Sequence, residues 1–583
     1  MLALAAAAGA TSPVGRAAAQ EPAAREPAAD TLGPAVPCRG QRVSAVVVRA
    51  GPPDFSGVAR WWPALARTAA ELHVTSRDEV VRRFVILLPG QRCSEFRRSE
   101  SERILRAQPF IADANVTAHD DGAGGVVILA ETLDEISAGI TVGARGSTPY
   151  IASLRLRDQN IDGRAVAANV AWHDGRYYRD GYSVDVTHYQ LFGRPYQLAV
   201  SGARQSLGGA WGAEASHPYL TDLQRIAWRA LGGAQREYFS FRRGRGAGSP
   251  AVLTDRHFVD VGGIVHLGEP GRLSLFGATV SRSFAAAGAA PVLLTDSGIV
   301  GDTSATLVGR YGALRSARVN ALWGVRNVRF MRVRAFDALT AVQDVRVGFQ
   351  FGTLVGRSLD VLGSQTDDIF VSADVYGGMG SPRAFVAFQL QGEGRQDYDV
   401  NKWDGILGSG RAATYLRLSE HHTMMADAEF SAGWRQRVPF QLRLDDPDGG
   451  IRGYRGAAVG GARRQVARLE DRWFLGRPRG FADVGIAPFV DVGQLWAGRP
   501  DDTPFGVSTG VRAGAGVGII AAVPPRSKRR WRLDLAVPLR RMPGTRFEAR
   551  LSSEDATRTF WNEPRDVARS RERTVPTSIF TWP

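Results

Sequence analysis

The 583 residues carry 73 Lys plus Arg against 58 Asp plus Glu, a formal net charge of +15, with 67 glycines and a mean hydropathy of -0.17. No run of eighteen or more uncharged apolar residues follows the N-terminus, which argues against a transmembrane helix there. Lys402 and Lys528 are the only lysines, and the arginines are scattered with short clusters such as residues 526–532. That scatter reads as compositional bias rather than a basic stripe, so no nucleic-acid partner is expected.

At the N-terminus, residues 1–10 (MLALAAAAGA) are apolar, and an A-x-A-like site at 17–19 precedes Gln20. A secretory signal cleaved after Ala19 is expected, although it lacks a basic leading region. Residues 20–37 are mostly Ala, Pro, Glu and Asp, too poor in large apolar groups to bury a core, and predict a flexible linker. The two cysteines, Cys38 and Cys93, fall in the first fifth of the chain. One disulfide in an oxidising compartment is the simplest reading.

Order is expected from Cys38. Residues 43–48 (VSAVVV) have the β-branched richness of a buried strand, and 61–72 predict a helix. Ser76 and Glu79 have capping-box spacing ahead of Val80, Val81, Phe84, Val85 and Leu88, predicting an amphipathic helix stopped by Pro89 and Gly90. Ser94 opens a second helix carrying Phe96, Ile104 and Leu105, and strands over 111–118 and 126–132 flank a turn at 120–125. The sum is a small α+β domain over 38–134. The stretch 76–131, with EVVRRFVILLPGQ leading to SERILRAQPFIADANV and a hairpin, resembles a POTRA domain, the periplasmic module of the BamA/TamA superfamily. An unrelated α+β domain is the alternative.

From Glu135 the period changes to two. Ile136, Ala138, Ile140 and Val142 alternate with Ser137, Gly139, Thr141 and Gly143, and Trp531, Leu533, Leu535 and Val537 alternate with Arg532 and Asp534. Such strands present one face to lipid and one to a polar interior. The 418 residues from Ile136 to Ser553, at roughly twenty-six per strand and loop, predict about sixteen antiparallel strands closed into a transmembrane β-barrel over 135–553. Residues 554–583 form a C-terminal tail.

The sharpest local motif is GGIRGYRG at 449–456, in a turn-rich stretch. Its core, Arg452, Gly453 and Tyr454, resembles the tip of the sixth extracellular loop of the BamA/TamA superfamily. PFVDVGQLW at 488–496 supplies the Phe-x-Asp-x-Gly pattern of that family's thirteenth strand through Phe489, Asp491 and Gly493, which share one face at period two. Glu470, flanked on its face by Arg468 and Arg472, resembles the acidic position of the twelfth strand. The resemblance implies that Arg452 folds into the lumen and meets Asp491 first, or Glu470. Physically, a confined guanidinium needs a carboxylate. Five strands are expected after the loop, near 464–475, 484–495, 509–520, 530–540 and 545–553. The family usually ends at its last strand, so the tail, which finishes Phe580, Thr581, Trp582, Pro583, is a departure.

Enzyme signals dissolve on inspection. Residues 506–510 (GVSTG) fit a nucleophile motif around Ser508, yet they run into an alternating strand rather than a helix. His421 and His422 are adjacent, and since adjacent side chains in a strand point to opposite faces a loop or surface pair is expected rather than a metal site, while 514–518 (GAGVG) lacks the helix of a dinucleotide site. No catalysis, metal or cofactor is expected. The resemblance implies an outer-membrane protein with its N-terminal domain in the periplasm. It would assist insertion or translocation of unfolded outer-membrane or secreted polypeptides, in contact with lipid and with other envelope assembly factors. A two-partner secretion transporter and a passive porin or receptor are the alternatives.

Overall fold

The computed structural model describes residues 32–144, 151–175, 178–244, 248–542, 545, 547–555 and 560–572. The signal-like segment, most of the linker and residues 580–583 of the tail lie outside them.

The N-terminal unit is a four-stranded sheet in the order β2-β1-β4-β3, built from β1 (Arg39–Gly51), β2 (Arg92–Ser94), β3 (Ile111–Asp120) and β4 (Val126–Asp134). β1 lies parallel to β4, while β2 and β3 pair antiparallel with β1 and β4. Helices α1 (Ser56–Trp61), α2 (Pro63–Leu72), α3 (Asp78–Arg82) and α4 (Glu95–Arg106) complete it. Val43, Val46, Val81, Phe84, Leu105, Phe110, Val116 and Ile128 form its core, each fully buried large side chain contributing roughly 1.5–3 kcal/mol. Cys38 and Cys93 are joined by a disulfide with Cα atoms 5.0 Å apart. Cys93 lies within β2, the edge strand, so the bridge pins that edge to the start of β1.

Two local expectations need correction. The helix expected from Ser76 to Leu88 is only α3, because after Arg82 the chain turns to drive Phe84, Val85 and Leu87 into the core. Ser76 does not cap it. Its backbone N–H donates to Asp134 Oδ2 at 2.6 Å, and its Oγ accepts from Asn160 Nδ2 at 2.8 Å. The linker, expected to be flexible through Pro37, is bound from Leu32 onward. Ala35 bridges His119 and the Val36 N–H donates to Ala118 O at 2.8 Å, which satisfies part of the free edge of β3.

Beyond β4, antiparallel strands close into a barrel from Ala138–Ala144 to Glu548–Asp555, which are neighbours at the seam. The expectation of about sixteen strands is corrected. Among the described residues the closed sheet holds twenty-two, of which Val292–Thr295 and Gly298–Gly301 form a short hairpin and the other twenty form the wall. The estimate failed because many connections are tight turns, such as Gln205 to Gly208 and Glu269 to Arg272. Outward positions stay apolar and exposed, among them Val259, Val261, Trp323, Leu469, Val490, Ile519 and Leu551. Inward positions bury Arg318, Asn320, Arg326, Gln350 and Asp374. An apolar exterior around a polar interior inverts the plan of a water-soluble fold and suits a bilayer.

The N-terminal unit covers one end of the barrel. α4 is wedged between sheet and barrel, with Glu102, Arg103 and Arg106 buried. Arg106 Nη2 meets Asp344 Oδ1 at 2.8 Å, and the Arg103 guanidinium lies 4.1 Å over the Phe330 ring. Lys528 Nζ donates to the carbonyls of Arg106 and Gln108 at 2.7 and 2.6 Å.

Candidate functional site

The connection between wall strands His422–Trp434 and Arg463–Gly476 folds into the lumen instead of standing clear of the barrel. A two-residue ladder, Leu442–Arg443 with Gly460–Gly461, closes its base. Asp446 organises the descent by accepting the N–H groups of Asp448 and Gly449 on Oδ1 at 3.0 and 2.9 Å. The tip is buried by Leu442, Leu444, Ile451, Tyr454, Val466 and Leu495.

Arg452 lies at the centre. Its Nε and Nη2 donate to Asp491 Oδ2 and Oδ1 at 2.8 and 2.6 Å, a two-pronged fork, and its backbone N–H adds a bond to Oδ2 at 3.0 Å. Nη1 donates to Glu470 Oε1 at 2.8 Å, so the one guanidinium meets both acids. Its plane stacks 3.4 Å from the Phe489 ring centroid, which adds a cation–π contact inside a desolvated site. Asp491 is fully buried and Arg452 is 8% exposed. Phe489, Asp491 and Gly493 share the inner face of Asp483–Trp496, while Val490 and Val492 point out.

The neighbours of Arg452 fix the rest of the loop. Gly453 adopts φ 90°, where glycine is favoured, and its N–H donates to Glu548 Oε2 at 2.8 Å on the last wall strand. Tyr454 is fully buried, and its hydroxyl donates to Arg540 O at 2.6 Å with Ala513 O 3.1 Å away. A Cβ at Gly493 would stand 2.6 Å from Gln465 O, so that position keeps strand and loop in contact.

Several members of the cluster escape a motif reading. Arg532 donates from both Nη atoms to Glu470 at 2.9 Å, and its Nε donates to Asp534 Oδ1 at 2.7 Å. Arg472 adds a third guanidinium to Glu470 at 2.9 Å. Arg452, Arg472 and Arg532 thus face Glu470, Asp491 and Asp534, three charges against three. The signal for Arg532 and Asp534 is present in their period-two placement in RLDL. The strand Arg512–Ala522 contributes by what it lacks, since a Cβ at Gly514 would collide with the Arg452 carbonyl and one at Gly516 would stand 2.6 Å from Phe489 Cζ. Gly514 therefore makes room for the loop, and Gly516 for the ring on which Arg452 stacks. Arg468 is the cross-strand partner of Asp491, but its guanidinium turns to Asp427 and Glu429 and holds the Gly450 carbonyl at 3.1 Å. Five wall strands follow the loop: Arg463–Gly476, Asp483–Trp496, Arg512–Ala522, Arg529–Pro538 and Glu548–Asp555.

The remaining sequence candidates sit elsewhere. Ser508 Oγ accepts from the Ala497 N–H in a loop, and the element that follows is the strand Arg512–Ala522. His421 stacks on Phe474, and His422 on Trp473 beside Asp471.

These features define the class: a closed, lipid-suited barrel carrying a small α+β unit at one end and an arginine-tipped loop locked into its lumen. No protein-family model matches the chain, and no curated protein matches its sequence. Among solved structures it is similar to BamA from Haemophilus ducreyi lacking POTRA domains 1–3, at 14% identity over 88% of this chain and 85% of that one, with a TM-score of 0.39. CdiB from Escherichia coli gives 12% identity over 91% of each chain and a TM-score of 0.34. CdiB from Acinetobacter baumannii gives 9% identity over 88% of this chain and 73% of that one, with a TM-score of 0.38. At these scores the functional reading rests on the chain's own residues.

Proposed function

We propose that this chain is an outer-membrane protein of the BamA/TamA type, which assists insertion or translocation of polypeptides without catalysing a reaction. The supporting observation is the seat of Arg452 between Asp491 and Glu470 on consecutive wall strands, with five strands after the loop. A loop fixed so firmly across the late strands holds that side of the barrel in shape while the seam between Ala138–Ala144 and Glu548–Asp555 is left to part. In this reading the N-terminal unit is a POTRA-like periplasmic domain. Unfolded clients add a strand to its exposed edge at β2 and pass from there to the seam and the surrounding lipid.

The test is reconstitution into proteoliposomes with an unfolded model barrel as client. Faster client folding, abolished by an oxidised cysteine pair across the seam and restored by reductant, is expected. Release of a soluble client on the far side would favour the two-partner secretion alternative. Ion conductance without any effect on clients would leave a passive pore.

A further inference from the structure

The last wall strand ends at Asp555, paired with Arg529 beside the turn that touches the N-terminal unit. Residues 560–572 do not lie outside the barrel. They cross its interior from that covered end toward the other. Phe560 packs edge-on to Tyr376 at 5.8 Å, among side chains near the covered mouth, and Arg411 Nη1 holds its carbonyl at 2.7 Å. Further along, Glu563 accepts from Ser409 Oγ at 2.5 Å and from Arg571 Nε at 2.7 Å. The short helix Arg565–Ala568 brings Asp566 to Arg464, whose Nη1 and Nη2 donate to it at 2.5 and 3.1 Å, and sets Val567 among Phe440, Leu442 and Tyr454 of the lumenal loop. At the far end Glu572 accepts from Ser283 Oγ at 2.7 Å and pairs with Arg318 at 3.1 Å and with Arg395. Arg256 holds the backbone carbonyls of Arg569 and Arg571.

The wall side of these contacts comes from strands between Ser249–Glu269 and Arg463–Gly476, and its charged members are Arg256, Arg318, Arg395, Arg411 and Arg464 together with Glu393. Buried guanidiniums need acceptors, and here the strip supplies side-chain carboxylates and main-chain carbonyls beside the wall acids Asp368 and Asp427. Main-chain acceptors are common to every polypeptide. The strip carries three acids and three arginines: Asp566 and Glu572 meet wall arginines, Arg571 meets Glu393 of the wall and Arg565 meets Asp448 of the loop, and this pairing of both signs gives the strip its register.

We propose that the lumen wall is a binding track for a polypeptide segment held by paired charges of both signs, and that residues 560–572 are its resident, displaceable occupant, closing the pore until another segment takes their place. This goes beyond the assembly reading and requires only that the barrel span a membrane. Its test therefore uses no client, and a failure to fold clients would leave it standing.

The experiment is conductance of the full chain in planar phospholipid bilayers. The native chain is expected to conduct weakly. The Asp566→Lys/Glu572→Lys chain, whose wall strands are untouched, should conduct several-fold more. A synthetic peptide of residues 560–572 added to that variant should return it to the native level reversibly, whereas the same peptide with both acids changed to lysine should not. Equal conductance of native and variant chains, or equal block by the two peptides, overturns the proposal. If the double-lysine chain does not form a heat-modifiable barrel, the neutral Asp566→Asn/Glu572→Gln chain decides in its place, with partial opening expected and unchanged conductance overturning the proposal.

Discussion

Arg452 offers the sharpest test at the scale of a single side chain. Arg452→Ala removes two donors from Asp491 and one from Glu470 in a site closed to water, and stranding a buried carboxylate costs on the order of 3–5 kcal/mol. The urea midpoint of the purified barrel should fall by a corresponding amount while the barrel still forms, and client folding should drop. Arg452→Lys keeps the charge but loses the fork and the stack on Phe489, and it should rescue only part of the loss. Asp134 provides a second test, at the junction. Burial pushes its carboxyl up to about 7, against the opposing hydrogen bond from Ser76 and with a further upward push from Glu135. His73 Nε2 stands 3.9 Å away, its imidazole held below the usual value by burial. A raised carboxyl favours the fold fully below the ordinary carboxylate range, and that contribution is lost as pH rises through about 7. The histidine acts in the opposite sense: its contribution is complete above its usual value and is lost as pH falls from there through its lowered folded value. The difference in melting temperature between Asp134→Asn and the native chain isolates the carboxyl and should widen in favour of the variant from pH 5 to 8. A constant difference would refute the assignment.

Among the elements, β2 has three residues and depends on its covalent tie. Removing the Cys38–Cys93 bridge with Cys→Ser at both positions should destabilise the N-terminal unit by about 2–4 kcal/mol, read as earlier proteolysis within 38–134 on a barrel that keeps its heat-modifiable migration. Wall strands were the most legible part of the chain, because lipid outside and polar lumen inside impose a period of two on the residues themselves. Arg452, Asp491 and Glu470 were legible for a related reason: loop tip and inner-face acids sit in short motifs. The helix expected from Ser76 is longer than the one observed, since Val80, Val81, Phe84 and Val85 fit a helical spacing that one short helix followed by a buried turn also satisfies. The partnership of Glu572 with Arg318 and Arg395 had no local signal, as it joins residues far apart in sequence across the lumen. Nor does the sequence of the tail, without alternation, say that it turns inward.

For the molecule as a whole, the decisive relation is the docking of the N-terminal unit on the barrel mouth. Asp344→Arg sets two guanidiniums against each other where Arg106 now has a carboxylate. Amide hydrogen exchange in α4 should quicken by an order of magnitude or more, a loss of about 1.4 kcal/mol or greater, with barrel amides unchanged. Unaltered exchange in α4 would mean that docking does not depend on this pair. The two lysines turn the same contact into a built-in gauge. Lys402 is exposed at a hairpin, whereas Lys528 is 2% exposed under the N-terminal unit. A lysine-specific endoprotease should therefore nick the closed molecule once, after Lys402, and the rate of a second cut, after Lys528, becomes a clock for how often the lower mouth is uncovered.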